Sequence, residues 1–194
     1  IYGNIIGVSP SYTVLGTQPV GIELDGADAK DNQIGKEPAG ALNFGNVIMN
    51  NSVAGIRMQN AANDNLVSGN YTGISPTNVT LNTQNSGVEI LNSAGINNQI
   101  GNDITGGGNW ISGNVNGIKL NEAVHCFIYN NLIGTNLSGL SAKPNTNSGI
   151  YLYFAGFNTI GGSGLKANVI SGNTSNGVIL EGSASTENVI QGNI

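Results

Sequence analysis

The stretch Asn109-Trp110-Ile111-Ser112-Gly113-Asn114-Val115-Asn116-Gly117-Ile118-Lys119-Leu120 decides the fold. It sets two short apolar segments, Trp110-Ile111 and Ile118–Leu120, on either side of a Ser-Gly-Asn turn, and neither is long enough to be a helix. Working outward, both halves recur. Asn-apolar-Ile returns as Asn46-Val47-Ile48 and Asn168-Val169-Ile170. Gly-Ile/Val-x-apolar returns at Gly21, Gly55, Gly87, Gly117, Gly149 and Gly177, at spacings of 34, 32, 30, 32 and 28 residues. A third pattern, Asn-x-Ile/Val, begins at Asn32, Asn65, Asn98, Asn158 and Asn188, with Cys126-Phe127-Ile128 taking the same place once, at spacings of 33, 33, 28, 32 and 30. The unit is therefore about 30 residues carrying three short strands, the signature of a solenoid. The expected fold is all-β: a right-handed parallel β-helix of about six coils with three short parallel strands per coil. The leucine spacing of a leucine-rich repeat is absent.

A longer period overlies the first. Every other coil carries an insertion before its Gly-Ile strand, at 8–20, 74–86 and 135–148, which lie 66 and 61 residues apart. Ile1-Tyr2-Gly3-Asn4-Ile5 matches Ile190-Gln191-Gly192-Asn193-Ile194 in phase. Residues 1–194 thus read as a single β-helix segment, an internal piece of a longer array, and matched ends suggest end-to-end stacking.

Stacking the coils turns equivalent residues into columns about 4.8 Å apart. Ile22, Ile56, Val88, Ile118, Ile150 and Val178 are expected to superpose in the core. The outward column beside them reads Glu23, Arg57, Glu89, Lys119, Tyr151, Ile179, and its alternating charges support the register. The four charged members are expected to lie exposed in one line. The Asn of the third pattern forms a column able to hydrogen-bond as a ladder, and the Gly of Ser-Gly-Asn suits a tight turn with positive φ.

Composition narrows the function. Charged residues make up 9% of the chain, net charge is −5, and only six residues are Lys or Arg, so nucleic acid is not an expected partner. No apolar run is long enough to insert in a membrane as a helix. The lone Cys126 excludes an internal disulfide and any cysteine-based metal cluster. Gly reaches 30 residues and Asn 32, which fits turns and ladders rather than helices.

No catalytic centre is legible. The eleven carboxylates are scattered, and Glu23 and Glu89, which share a column, are separated by Arg57. Asp25, Asp28 and Asp31 follow one strand at three-residue spacing and are calcium candidates, although EF-hand spacing is missing and no metal or other cofactor is expected. His125 adjoins Cys126, but neighbours on a strand point to opposite faces. Tyr151 and Tyr153 share an outward face, where their rings can stack on sugars, making them the candidate ligand-binding residues. The three insertions are expected to form a ridge flanking that face.

The segments Asn168–Asn173 (NVISGN), Asn109–Asn114 (NWISGN), Asn158–Gly162 (NTIGG) and Asn130–Gly139 (NNLIGTNLSG) resemble the parallel β-helix repeats of large bacterial secreted and surface proteins, on the pectate-lyase-like scaffold. The resemblance covers nearly the whole chain. It implies an extracellular or cell-surface location. The paired aspartates of polygalacturonases and the calcium-plus-arginine set of pectate lyases are absent. The regularity resembles the non-catalytic adhesin-like arrays, so the expected role is a structural or adhesive module whose partner is a polysaccharide or other surface glycan. The alternatives are a segment of a polysaccharide lyase or hydrolase, and a subunit of an extracellular filament or sheath.

Overall fold

A computed structural model describes residues 1–35, 45–81, 83–91 and 96–194. Eighteen short strands form three six-stranded sheets, and every pairing between strands is parallel. Sheet 1 holds Ile5–Ile6, Val47–Ile48, Tyr71–Thr72, Trp110–Ile111, Leu132–Ile133 and Val169–Ile170. Sheet 2 holds Gln18–Asp25, Asn51–Gln59, Gln84–Leu91, Asn114–Asn121, Ile150–Tyr153 and Val178–Glu181. Sheet 3 holds Gln33–Gly35, Leu66–Ser68, Gln99–Ile100, Phe127–Ile128, Thr159–Gly161 and Val189–Gln191. The chain visits sheets 1, 2 and 3 in turn, so each circuit is one coil of a β-solenoid with three strands. The helical content of the described residues is one 3₁₀ turn, Gly164–Lys166.

The core is a set of stacked aliphatic columns, one or two per sheet. Ile22, Ile56, Val88, Ile118, Ile150 and Val178 are register partners in sheet 2, as the repeat predicts. The first five are buried; Val178 is half-buried, because its coil has none stacked beyond it. Ile34, Val67, Ile100, Ile128 and Ile160 line sheet 3, and Ile48, Ile111 and Ile133 line sheet 1. Each such burial contributes about 1.5–3 kcal/mol.

Asparagine ladders close all three corners, not one. Before sheet 1, Asn4, Asn46, Asn70, Asn109, Asn131, Asn168 and Asn193 form an unbroken chain. Asn131 shows the pattern: its side-chain amide donates to Asn168 Oδ1 at 2.9 Å, and its main-chain N–H donates to the same oxygen at 2.9 Å. Its second amide hydrogen reaches back to Ile100 O, also at 2.9 Å. Every polar valence of a buried amide is thereby used, which burial demands. At the entry to sheet 2 the side-chain amides of Asn51, Gln84, Asn114, Asn145 and Asn173 form a second chain, which ends at the buried, unpartnered Oδ1 of Asn51, so the Asn closing the Ser-Gly-Asn turns at 112–114 and 171–173 is itself a ladder residue. The glycine before it has positive φ, 72° at Gly113 and 74° at Gly172. The column before sheet 3 runs through Asn32, Asn65 and Asn98, is interrupted by Cys126, and resumes at Asn158 and Asn188.

Candidate functional site

Tyr151 and Tyr153 project from the same face of sheet 2, one strand position apart from Lys119 and Asn121 respectively. Both are half-buried, their ring centroids 6.1 Å apart and tilted by 55°. The Tyr151 hydroxyl donates to Glu181 Oε2 at 2.7 Å. Burial, then this bond to a carboxylate, pushes the phenol up to about 12, so it stays protonated across the neutral range. Tyr153 meets Phe154 edge-on at 4.5 Å, and Phe154 lies close over Gly182, where a Cβ would strike its ring at 2.8 Å. Both tyrosines are thus held from the side, and their arrangement belongs to the fold.

The charged column alongside them keeps its line but not its expected exposure: only Glu23 is exposed, and Arg57 and Lys119 are half-buried. Glu23, Arg57, Glu89 and Lys119 do lie in one line. Glu89, however, is only 5% exposed rather than open to solvent. Arg57 donates to its Oε2 through Nε at 3.1 Å and Nη2 at 2.8 Å, and Lys119 Nζ stands 3.3 Å from Oε1. The two long cationic side chains close over the shorter carboxylate, which needs both to be buried at all. Glu23 remains exposed, 4.0 Å from Arg57 and accepting a hydrogen bond from Gln59.

The calcium candidates are not brought together. Asp25, Asp28 and Asp31 are all exposed, Asp25 accepts from Asn60 at 2.7 Å, and no three His, Cys, Asp or Glu side chains converge among the described residues. Glu37 lies outside the described residues. Cys126 is fully buried in the ladder column, its thiol pushed up to about 12 by desolvation, so it stays protonated and unreactive at neutral pH. His125 points away from it and stacks on Phe157, ring centroids 5.3 Å apart.

The insertions depart further. They leave at the edge between sheets 1 and 2, two coils apart, and each closes on itself through one antiparallel bridge: Val8–Val14, Ile74–Thr80 and Thr135–Ala142. The first two end earlier than the sequence suggests, since Gln18–Val20 and Gln84–Ser86 already belong to sheet 2, whereas the third ends before its strand at Ile150; Asn82 lies outside the described residues. They also lean over sheet 1 instead of flanking the tyrosine face. Tyr12 and Leu81 pack on a second apolar cluster of Val8, Val47 and Met49, and the Trp110 indole N–H donates to Leu137 O at 3.2 Å. Apolar residues on the outer face of sheet 1 draw the loops across it. Successive loops also touch, the Leu137 N–H donating to Asn78 Oδ1 at 3.1 Å.

No family model, curated protein or solved structure matches the chain.

Proposed function

We propose that the chain is a non-catalytic, extracellular β-solenoid module of the bacterial surface-array kind, and that it holds a glycan on its Tyr151–Tyr153 face. The observation that carries this reading is the pair of half-exposed tyrosine rings, fixed by Glu181 and Phe154 on a rigid strand. Aromatic faces stack on the C–H face of a sugar while the phenol edge and a nearby carboxylate meet its hydroxyls. Holding the rings in place before binding lowers the ordering cost.

The state of the carboxylates supports the non-catalytic half. Hydrolysis of a glycosidic bond takes two positioned carboxyl groups roughly 5–9.5 Å apart. Around the tyrosines, Glu89 is enclosed by Arg57 and Lys119, and Glu181 is engaged by Tyr151. Neither is placed to shuttle a proton to a substrate.

Binding of the protein to an immobilised glycan panel tests the reading, with Tyr151→Ala/Tyr153→Ala as the variant. Losing both rings should weaken the selected glycan by about tenfold or more. Affinity unchanged in the double variant would move the site elsewhere. Pectin, alginate and polygalacturonate are incubated in parallel with and without calcium. No new reducing ends or unsaturated products should form, and calcium-dependent turnover would overturn the non-catalytic assignment.

A further inference from the structure

The outer face of sheet 1 is a single apolar column: Ile5, Val47, Tyr71, Trp110, Leu132 and Val169, in that stacking order. Insertions wall it on one side. On the other stand the residues that lead into its strands, among them Gly106 and Gly108. At its centre Tyr71 and Trp110 stack in parallel, centroids 4.6 Å apart and planes 8° from coplanar. Each ring covers one face of the other, and Tyr71 also packs on the Val8, Val47 and Met49 cluster. Tyr71 is left facing the Val47 side of the column, and Trp110 the Leu132 side.

A cleft opens on each of those sides. The larger, about 390 Å³, is lined by Ile5, Val47 and Tyr71 with Tyr12 and Pro76 from two insertions. The smaller, about 170 Å³, is lined by Trp110 and Leu132 with Gly106, Gly108 and Asn130. Among the described residues, no Asp, Glu, Lys, Arg or His lines either cleft. Burial, reinforced by Tyr12, raises the Tyr71 phenol, which therefore remains a neutral hydroxyl. The Trp110 N–H is committed to Leu137 O, so this indole offers a ligand only its ring.

We infer that this trough is a second glycan site, separate from Tyr151 and Tyr153, which takes an uncharged oligosaccharide. One sugar meets Tyr71 in the larger cleft and another meets Trp110 in the smaller. The lining selects this class. A uronate would bring a carboxylate into a cleft that has no cation among its described lining residues. A hydrocarbon would leave the phenol hydroxyls of Tyr12 and Tyr71 without partners. A neutral sugar gives the rings a C–H face and the hydroxyls a hydrogen bond.

Trp110 is the only tryptophan, so its emission reports on this trough and not on the tyrosine face. The intact chain is titrated with cellohexaose, maltohexaose and, for comparison, hexagalacturonate. A saturable change in emission with a neutral hexaose, and at least about tenfold weaker binding of hexagalacturonate, is expected. Tyr71→Ala should weaken the neutral ligand by about tenfold, and Tyr12→Ala should weaken it in a background that keeps the Tyr71–Trp110 stack, should Tyr71→Ala disturb folding. Tyr151→Ala/Tyr153→Ala should leave the titration unchanged. The inference is overturned if neither neutral hexaose shifts the emission, if hexagalacturonate binds as well, or if Tyr12→Ala and a folded Tyr71→Ala bind like the parent. A titration lost only in the Tyr151/Tyr153 variant also overturns it, and would leave the tyrosine face as the glycan site.

Discussion

At the residue scale, space rather than backbone angle fixes the glycine that opens each Gly-Ile strand. Gly117 does not have positive φ, yet a Cβ on it would stand 2.5 Å from Gly149 O and 2.8 Å from Ile133 Cγ2. Gly21, Gly55, Gly87 and Gly149 meet the same kind of obstruction, a carbonyl of the neighbouring coil and, within 3.4 Å, an isoleucine of sheet 1. The Gly149 carbonyl accepts the Ile118 N–H at 2.9 Å and cannot move aside alone. Gly117→Ala is therefore expected to destabilise by about 2–3 kcal/mol, as overpacking does. Gly16 is the control: nothing lies within 4 Å of its built Cβ and its φ is ordinary. Gly16→Ala should be neutral or stabilise by up to about 1 kcal/mol, through the unfolded chain. Urea midpoints at equal slope measure both, and a Gly117→Ala midpoint equal to that of Gly16→Ala would refute the steric account.

At the element scale, the sheet 2 row Glu23, Arg57, Glu89, Lys119 is one electrostatic unit with an unequal distribution of weight. Glu89 is enclosed by two cations, whereas Glu23 is open to water. Removing an enclosed partner leaves two crowded cations; removing an exposed one leaves a solvated surface. Glu89→Ala should cost about 2 kcal/mol, less than a fully buried pair because Arg57 and Lys119 keep some contact with water. Glu23→Ala should cost no more than about 0.5 kcal/mol. Chemical denaturation of the two variants distinguishes them, and equal losses would mean that enclosure contributes nothing. The register of this row was legible in the sequence because a repeat of fixed phase places like with like. The enclosure of Glu89 was not, since it depends on how two long side chains bend toward a shorter one. For the same reason the Tyr71–Trp110 stack went unread: Asn70-Tyr71-Thr72 and Asn109-Trp110-Ile111 look unlike until the coils align them. The loops start where the repeat places them, but two end earlier than it suggests, and their lean follows an apolar outer face that a two-residue strand does not announce.

At the scale of the whole molecule, the strands of each coil pair only with those of its neighbours, so phase matters more than length. Removing residues 71–131 would join Asn70 to Leu132, and Asn70 holds the same ladder position as Asn131. Such a chain should keep its β-type circular dichroism and melt cooperatively. Removing 71–98 instead joins Asn70 to Gln99, so that one sheet 3 strand follows another with the sheet 1 and sheet 2 strands between them lost; it should lose cooperative melting. If both deletions melt alike, stacking phase does not govern the fold. The ladders carry one more consequence, which concerns time. Asparagine ages: the main-chain nitrogen of the next residue attacks the side-chain amide, ammonia leaves, and an aspartate or its isomer remains. In the ladder before sheet 1 that nitrogen is occupied, Leu132 N–H donating to Asn109 O, Trp110 N–H to Asn70 O and Val169 N–H to Asn131 O. The amide it would attack is held by the coils above and below. Attack requires both to let go at once, so ageing should begin at exposed sites such as Asn176, which precedes Gly177, and reach the ladders last.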